Sequence, residues 1–197
     1  MYKIDKILIG THNKGKFKEI SDLLPKKVEK ISPNELGIES PKEDGKTFLQ
    51  NSEIKANFFC NQSKLVTLSD DSGLEIDCLN GQPGIFSSRW AEQFGSFDNA
   101  MTEILNKMKA SNKGTTAQFV CSLTIQWPDG KKISKVGKIR GNISSKRGNN
   151  GFGYDPIFIP NGHAKTFAEM DYKEKLLLDH RCIAYKKLEK KIKVYFE

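Results

Sequence analysis

Along this 197-residue chain, segments with the apolar pattern of a strand are followed by segments with the apolar pattern of a helix. Short β-branched runs predict buried strands at residues 6–10 and 65–68, and residues 117–127 alternate apolar and polar side chains like a strand with one buried face. Spacings of three and four residues predict helices, which begin near Lys16, Thr47, Asp98 and Tyr172. Strands interleaved with helices indicate an α/β fold built on a central sheet.

A turn signal follows the longest alternating run. Pro128, Asp129 and Gly130 predict a tight turn that returns the chain into a partner strand at residues 132–139. We therefore expect an antiparallel hairpin within the α/β order. The last helix, from Tyr172 onward, is predicted to be long and to bury a stripe made of Leu177, Ala184 and Leu188.

Composition is that of a globular protein, since 37% of the residues are hydrophobic. We treat residues 1–197 as a single domain, with room for two intimate lobes. The four cysteines are scattered without a C-x-x-C pair, and the polar start MYKIDK does not resemble a secretory leader, so we expect a reduced, cytoplasmic setting. No apolar run suits a membrane span, and the three histidines are too far apart to predict a zinc site.

The net charge of +8 raises the question of a nucleic-acid partner. The lysines are spread along the chain among Asp and Glu, and no nucleic-acid recognition module is present. We therefore expect neither DNA nor RNA as the main partner. A positive field attracts a small polyphosphate as readily as a polymer.

Two adjacent carboxylates stand at the predicted end of strand 65–68, in the stretch SDDSGLEI of residues 69–76. Asp70 and Asp71 are costly to bury together without a cation, and their repulsion favours a raised pKa on one of them or a bound divalent metal. A carboxylate in that setting can also accept a proton from water. The alternative is a solvated turn, because Asp, Ser and Gly are common turn formers.

The loop from Gly10 to Lys16 lies between the first predicted strand and helix. Backbone N–H groups and the helix dipole make such a loop a site for anions. Its spacing matches most of a P-loop, but Phe17 stands where that motif needs Ser or Thr to hold Mg²⁺. The sequence thus predicts phosphate binding without the P-loop geometry, and a P-loop-like NTPase that releases phosphate remains an alternative.

A glycine-rich stretch, RGNNGFGYDPIF, occupies residues 147–158. Glycine lets a backbone approach a flat ligand closely, and an aromatic ring can stack on a base, although a glycine-rich loop with one packed aromatic fits the sequence equally well. Cations on the last predicted helix either close over an anionic or carbonyl-bearing ligand or face solvent. The acidic pair Glu43 and Asp44 precedes the helix at Thr47, as dipole partners or as metal ligands.

Four stretches in this order resemble the inosine triphosphate pyrophosphatase family, also called the Ham1 family: THNKGK, SDDSGLEI followed by GQPGIFSSRWA, GFGYDPIF, and TFAEM followed by EKLLLDHR. The resemblance spans nearly the whole chain. It implies an elongated central mixed β-sheet flanked by helices, two lobes with a nucleotide cleft between them, and a homodimer. It also implies Mg²⁺-dependent hydrolysis of ITP, dITP and XTP to the monophosphate and pyrophosphate, which cleanses the nucleotide pool.

The resemblance also implies roles for individual residues. Asp71 matches the proton acceptor and metal partner, Glu43 matches a second metal ligand with Asp44 as its rival, and Lys16 matches a catalytic and phosphate-contacting lysine. The remaining positions match substrate contacts: Thr11, His12, Asn13, Lys14, Gly15, Ser72, Phe152, Gly153, Tyr154, Asp155, Lys175, His180 and Arg181. In the family's chemistry, a hydrogen-bond donor such as His180 or Arg181 bonds to the 6-oxo oxygen of the purine. The same donor would face the amino group of adenine, which is also a donor, so adenine binds poorly.

Two residues depart from the family pattern. His12 stands where many relatives have Gly, so its side chain either changes the path of the phosphate loop or adds an imidazole contact. Asp179 stands where Ser is usual before His180 and Arg181, and it either raises the pKa of His180 or lies on solvent.

A nucleotide-binding protein without catalysis is a further alternative for the function of the chain.

Overall fold

The computed structural model describes residues 3–111 and 113–196. Their strands form one sheet in the order β2-β1-β3-β4-β5-β6. The strands are β1 Lys6–Ile9, β2 Glu29–Ile31, β3 Thr67–Ile76, β4 Thr116–Gln126, β5 Lys132–Ile143 and β6 Phe158–Pro160. The α-helices are α1 Lys14–Leu23, α2 Phe48–Ser63, α3 Ser87–Gln93, α4 Phe97–Ser111, α5 Tyr172–Leu178 and α6 His180–Ile192.

The sheet is mixed, as the family resemblance implies. Strand β1 pairs in parallel with both β2 and β3, whereas β5 and β6 pair antiparallel. The predicted hairpin is present as β4 and β5, although β5 continues beyond residue 139 to Ile143. The α/β class and the mixed sheet flanked by helices are therefore confirmed.

The chain divides into two compact units. Unit 1 comprises residues 1–71, 121–137 and 181–197, and unit 2 comprises residues 72–120 and 138–180. Each has its own hydrophobic core. The core of unit 1 includes Ile7, Leu68 and Leu188, and that of unit 2 includes Ile104, Phe119 and Phe158.

The prediction that the strand stops at Asp70 is wrong. Strand β3 runs without interruption through Asp70, Asp71, Ser72 and Gly73 to Ile76. Turn-forming residues remain extended here because strand propensity is weak compared with pairing and packing, and β3 has a neighbour on each side. Adjacent residues of a strand point to opposite faces, so the two aspartates do not form a side-by-side pair.

The prediction of one long C-terminal helix is also wrong. Helix α5 ends at Leu178, Asp179 adopts an extended conformation as its C-cap, and α6 begins at His180. Short polar side chains such as Asp compete with helical hydrogen bonding and favour cap positions. The interruption breaks the predicted stripe: Leu177 is 68% exposed, while Ala184 and Leu188 are fully buried.

None of the helices in residues 3–111 and 113–196 is both long and apolar enough to cross a membrane.

Candidate active site

The loop between β1 and α1 is held by its own side chains. The Asn13 side-chain oxygen accepts a hydrogen bond from the Lys16 backbone N–H at 3.0 Å and caps α1. The Thr11 hydroxyl accepts one from the Asn13 backbone N–H at 3.2 Å. Lys14 and Gly15 form the first turn of the helix, so the loop leads directly into its positive end. This is the strand, loop and helix arrangement that the sequence predicts for phosphate, and phosphate binding itself stays a prediction.

Two residues bear on how this loop could bind phosphate: His12, which departs from the family pattern, and Phe17, which departs from the P-loop motif. The His12 ring bonds to the Ile38 carbonyl oxygen through Nε2 at 3.0 Å and to the Ser40 hydroxyl through Nδ1 at 2.7 Å. Its departure from glycine therefore ties the loop to residues 38–40. Phe17 packs partly buried against the core of unit 1, so the position that a P-loop would give to a Mg²⁺-binding hydroxyl holds a packing residue.

Asp70 is a fully buried carboxylate surrounded by cations. Its Oδ2 lies 3.2 Å from Lys16 Nζ and 3.5 Å from Arg181 Nε. Burial alone would raise the pKa of Asp70, but Lys16, Arg181 and Lys55 outweigh it and hold that pKa well below its usual value. Asp70 is therefore ionised at neutral pH and serves as the counter-ion of these side chains.

Asp71 has the opposite character. Burial raises the pKa of its carboxyl above the ordinary value and the nearby Glu43 raises it further, while Lys55 and Lys16 oppose the shift only in part. The Asn51 amide donates to Asp71 Oδ2 at 3.0 Å. The sequence predicts either a raised pKa on one of the two aspartates or a bound divalent metal. The cause that acts on Asp71 is burial, with Glu43 rather than Asp70 as the like charge.

Lys55 lies among the acidic side chains of unit 1, and the sequence interpretation missed it. Its ammonium is buried and lies 3.3 Å from Glu43 Oε1. Burial lowers the pKa of Lys55, but Asp70, Glu43 and Asp71 raise it more, so the net pKa is above its ordinary value and the side chain is charged. Of the two rival acidic residues, Glu43 is half-buried against Lys55 and Asp44 is exposed.

Asp71 and Glu43 interact as like charges, and two such carboxylates are a donor set that Mg²⁺ uses in nucleotide sites. Within the described ranges, no group of three or more His, Cys, Asp or Glu side chains is arranged to hold a metal. Mg²⁺ commonly uses one or two carboxylates and takes its other ligands from water and substrate phosphates. Glu43 lies near enough to raise the pKa of Asp71 by repulsion, and a divalent cation at these two carboxylates would relieve it.

Arg181 lies between two carboxylates of unit 1. Its guanidinium is buried, forms a close ion pair through Nη1 with Glu19 Oε2, and approaches Asp70 Oδ2. Glu19 comes from the buried face of α1. The proposed contact of Arg181 with a purine base stays a prediction, and the structure adds two acidic partners that orient this side chain.

Asp155 organises the glycine-rich loop of unit 2. Its Oδ2 accepts from the Phe152 backbone N–H at 2.8 Å and from Lys175 Nζ at 2.6 Å. Gly151 has a φ of +75°, and a Cβ there would lie 2.1 Å from Asp155 Oδ2. Glycine is thus required at position 151 both by conformation and by contact.

Lys175, Phe152 and Asp155 form one cluster. The Lys175 ammonium lies 4.6 Å from the centre of the Phe152 ring, in addition to its ion pair with Asp155. Gly153 follows with a φ of +66°. Tyr154 instead packs into the core of unit 2 and donates its hydroxyl proton to the Ser87 carbonyl at 2.8 Å. We therefore expect only the Tyr154 backbone to be accessible to a substrate.

His180 is a stacked aromatic in unit 2. Its ring lies parallel to Phe119, with centroids 4.8 Å apart and an interplanar angle of 11°. Asp179 is fully buried, so the alternative that it lies on solvent is wrong. Ser72 is half-buried in β3, immediately after Asp71. Their contacts with a substrate stay predictions.

The structure thus brings the predicted residues together in two groups. In unit 1, Lys16, Asp71, Glu43 and Arg181 share one charged cluster with Asp70, Asn51, Lys55 and Glu19. In unit 2, Phe152, Asp155 and Lys175 form the second.

A sequence signal existed for three missed residues. Asn51 and Lys55 lie on the apolar side of α2 with Phe48 and Phe59, and Glu19 precedes Ile20 on the buried side of α1. Polar or charged residues at core positions of an amphipathic helix are rarely buried without a partner. Their partners could not be identified from spacing.

The chain is similar to known proteins over nearly its whole length. A model of the Ham1 family matches residues 7–191. The dITP/XTP pyrophosphatase of Zymomonas mobilis is 42% identical over 187 residues, which cover 93% of this chain and 90% of that protein. The dITP/XTP pyrophosphatase of Rhodospirillum centenum is 42% identical over 188 residues, with 93% of each chain covered. The structure of a Ham1 protein from Coxiella burnetii aligns with a TM-score of 0.87 at 33% identity, covering 98% of this chain and 100% of that one.

Proposed function

This chain belongs to the Ham1 family, and on that premise we propose that it hydrolyses non-standard purine nucleoside triphosphates, namely ITP, dITP and XTP, to the monophosphate and pyrophosphate. The observation that carries the proposal is the contrast between two neighbouring carboxylates. Asp70 is held ionised by three cations, while Asp71 has a raised pKa and one oxygen bonded by Asn51. A carboxylate whose pKa lies above its ordinary value is a stronger base and better suited to accept a proton from water.

The proposed reaction is attack of water on the α-phosphorus. Asp71 accepts the water proton, the bond between the α-phosphorus and the bridging oxygen breaks, and pyrophosphate leaves with that oxygen. Lys16 and the N-terminal turn of α1 would neutralise charge on the phosphates, aided by the backbone of Thr11, His12, Asn13, Lys14 and Gly15.

Asp71 and Glu43 are the proposed ligands of Mg²⁺. When bound, Mg²⁺ would neutralise phosphate oxygens and lower the barrier for the charged transition state. Lys55 keeps Glu43 and the aspartates close together before the cation arrives, since its ammonium already offsets part of their charge.

Base recognition is proposed for Phe152, Gly153, Asp155, Lys175, His180 and Arg181, with Ser72 as a further substrate contact. In support, Asp155 fixes both the Phe152 backbone and the Lys175 ammonium, so the ring and the cation have a defined relative position. A buried donor facing a 6-oxo group would be left opposing an amino donor in ATP, which gives strong discrimination.

We also propose a cytoplasmic homodimer. The cysteines of the described ranges are free thiols, which agrees with a reduced compartment. Size-exclusion chromatography with light scattering tests the dimer, because a dimer would have twice the chain mass of 22.2 kDa.

The test of the activity is a product assay with ITP, dITP, XTP, GTP and ATP, with and without Mg²⁺, that separates pyrophosphate from phosphate. We expect pyrophosphate from the first three, little from GTP and ATP, and its loss in Asp71→Asn. Phosphate released from ATP would instead favour the P-loop-like alternative. Binding of ITP without any product would favour a nucleotide-binding protein that does not catalyse.

A further inference from the structure

A buried amide on α2 contacts both the strand that carries Asp71 and the loop that carries Glu43. Asn51 is 1% exposed, and its Nδ2 donates to Asp71 Oδ2 at 3.0 Å while its Oδ1 accepts from the Gly45 backbone N–H at 2.8 Å. A backbone N–H can only donate, and an ionised carboxylate can only accept. The two neighbours therefore fix which end of the amide faces which partner.

Gly45 is part of the same arrangement. A Cβ at this position would lie 2.5 Å from Asn51 Oδ1 and 2.8 Å from Gln50 Cβ. Both distances are shorter than side chains tolerate, so any larger residue would push the loop away from Asn51. Glycine at position 45 is what allows the backbone N–H to reach the amide.

The loop next to Glu43 has a second anchor on the same helix. The Lys46 backbone N–H donates to Gln50 Oε1 at 2.6 Å, and the Thr47 hydroxyl accepts from the Gln50 backbone N–H at 3.1 Å. Gln50 thus holds the loop without touching Asp71. Asn51 differs from it by linking the loop to the carboxylate.

We propose that Asn51 is a positioning residue for the hydrolysis: it orients the Asp71 carboxylate through its bond to Oδ2 and links that carboxylate to the loop that carries Glu43. This inference rests on the proposed function. Asn51 touches no reacting atom in it and acts through Asp71 and Gly45. Misplacement of a catalytic group by about 1 Å costs on the order of 100-fold in rate, so we expect the loss of Asn51 to appear mainly in kcat.

The decisive variant is Asn51→Asp. Its carboxylate can still accept from the Gly45 N–H, but it has no donor for Asp71 and repels it. We expect kcat for ITP to fall by about 100-fold, with KM within about threefold, since the phosphate loop is untouched. Gln50→Ala is the matched control, because it removes the other loop anchor on the same turn, and we expect its kcat to remain within about threefold of wild type.

Gly45→Ala disrupts the hydrogen bond between the Gly45 N–H and Asn51 while keeping Asn51 itself. We expect a smaller fall in kcat, and we expect no further fall when Gly45→Ala is added to Asn51→Ala, because residues that act through one contact are not additive. Thermal unfolding of every variant, measured without nucleotide, identifies loss of fold. If Asn51→Asp is unfolded, the cycle of Asn51→Ala, Gly45→Ala and their double variant decides the question.

The outcomes separate this inference from the proposed function. If the wild type releases no pyrophosphate, the proposed function fails first and the positioning role fails with it. If the wild type is active and Asn51→Asp retains kcat within about threefold, or Gln50→Ala loses as much, or the two losses in the cycle add fully, then the positioning role is wrong and the proposed function stands.

Discussion

The Lys16 ammonium lies 3.2 Å from the Asp70 carboxylate, so the lysine proposed to meet the substrate phosphates is already paired with a fully buried acid. The same carboxylate approaches Arg181. One buried negative charge therefore positions two cations from distant parts of the sequence. We therefore expect substitution of Asp70 to act mainly on stability, and substitution of its neighbour Asp71 to act mainly on catalysis.

Asp70→Asn is expected to lower the free energy of unfolding by about 3–5 kcal/mol, because removing one member of a buried ion pair leaves uncompensated charge. Asp71→Asn is expected to be at least as stable as wild type at pH 7. The raised pKa of Asp71 means that its ionised form is disfavoured in the folded state, and Asn removes that charge. Urea unfolding of both variants measures the difference, and the product assay is run alongside.

The pH dependence distinguishes the two residues further. Asp70 has a depressed pKa in the folded state, so its stabilisation is present above the unfolded pKa of about 3.9 and is lost as the pH falls below it. We expect wild type to lose stability below about pH 4 and Asp70→Asn to lose less over that range. Equal acid sensitivity in wild type and Asp70→Asn would contradict the role of Asp70 as the ionised counter-ion.

The parts of the fold that the sequence predicts well are those governed by local periodicity. The strand at β4, the Pro128-Asp129-Gly130 turn and the helix that begins after Thr47 appear where expected. The prediction that β4 buries only one face is wrong, because Ser122, Thr124 and Gln126 on its polar face are buried as well. The expected stop at Asp70 does not appear, because the residues that keep β3 extended and compensate its acids come from elsewhere. Lys16 and Asn51 are remote in sequence, and turn propensity carries no information about them.

In the candidate site, too, local features could be predicted from the sequence and contacts between distant residues could not. The residue types at the phosphate loop and the glycine-rich loop could be chosen from the sequence and the family resemblance. The pairing of Glu19 with Arg181 could not, because the two residues are 162 positions apart and no spacing rule relates them. The burial of Asp179 at the helix break could not be predicted either, because a local pattern does not reveal what packs around that side chain.

The Asp155 loop yields a third prediction, through Gly151→Ala. The new Cβ would meet Asp155 Oδ2 at 2.1 Å, in addition to the strain of a positive φ. We expect a loss of about 1–3 kcal/mol of stability from the backbone alone. Displacement of Asp155 should also release Phe152 and Lys175, so KM for ITP should rise and the preference for ITP over ATP should fall.

Gly162→Ala is the control for that substitution. Gly162 also lies in unit 2 with a φ of +84°, but no atom is within 4 Å of its Cβ position. It therefore carries the conformational strain without the collision. Steady-state kinetics with ITP and ATP should be unchanged in Gly162→Ala. If both alanine variants alter the ITP to ATP preference equally, the Asp155 contact is not what sets it.

Two buried tyrosines give the last prediction. Burial raises the pKa of both the Tyr154 and Tyr185 hydroxyls, and Glu189 adds to the shift at Tyr185. Tyr154 donates to the Ser87 carbonyl, whereas the Tyr185 hydroxyl has no hydrogen-bond partner among the described residues. Tyr154→Phe should therefore cost about 1 kcal/mol at neutral pH, and Tyr185→Phe should be neutral or slightly stabilising.

At alkaline pH the two substitutions should act in the same direction. A hydroxyl whose pKa is raised by folding contributes stability below its unfolded pKa of about 10 and loses it as the pH rises towards the folded value. Each phenylalanine removes one such group, so the fall in stability above about pH 10 should become shallower in either variant. Guanidinium unfolding between pH 8 and pH 11 measures this. If the unfolding free energy of both variants falls above about pH 10 as steeply as that of wild type, other groups control the alkaline loss. If Tyr185→Phe loses much stability at neutral pH, the Tyr185 hydroxyl is hydrogen-bonded in solution.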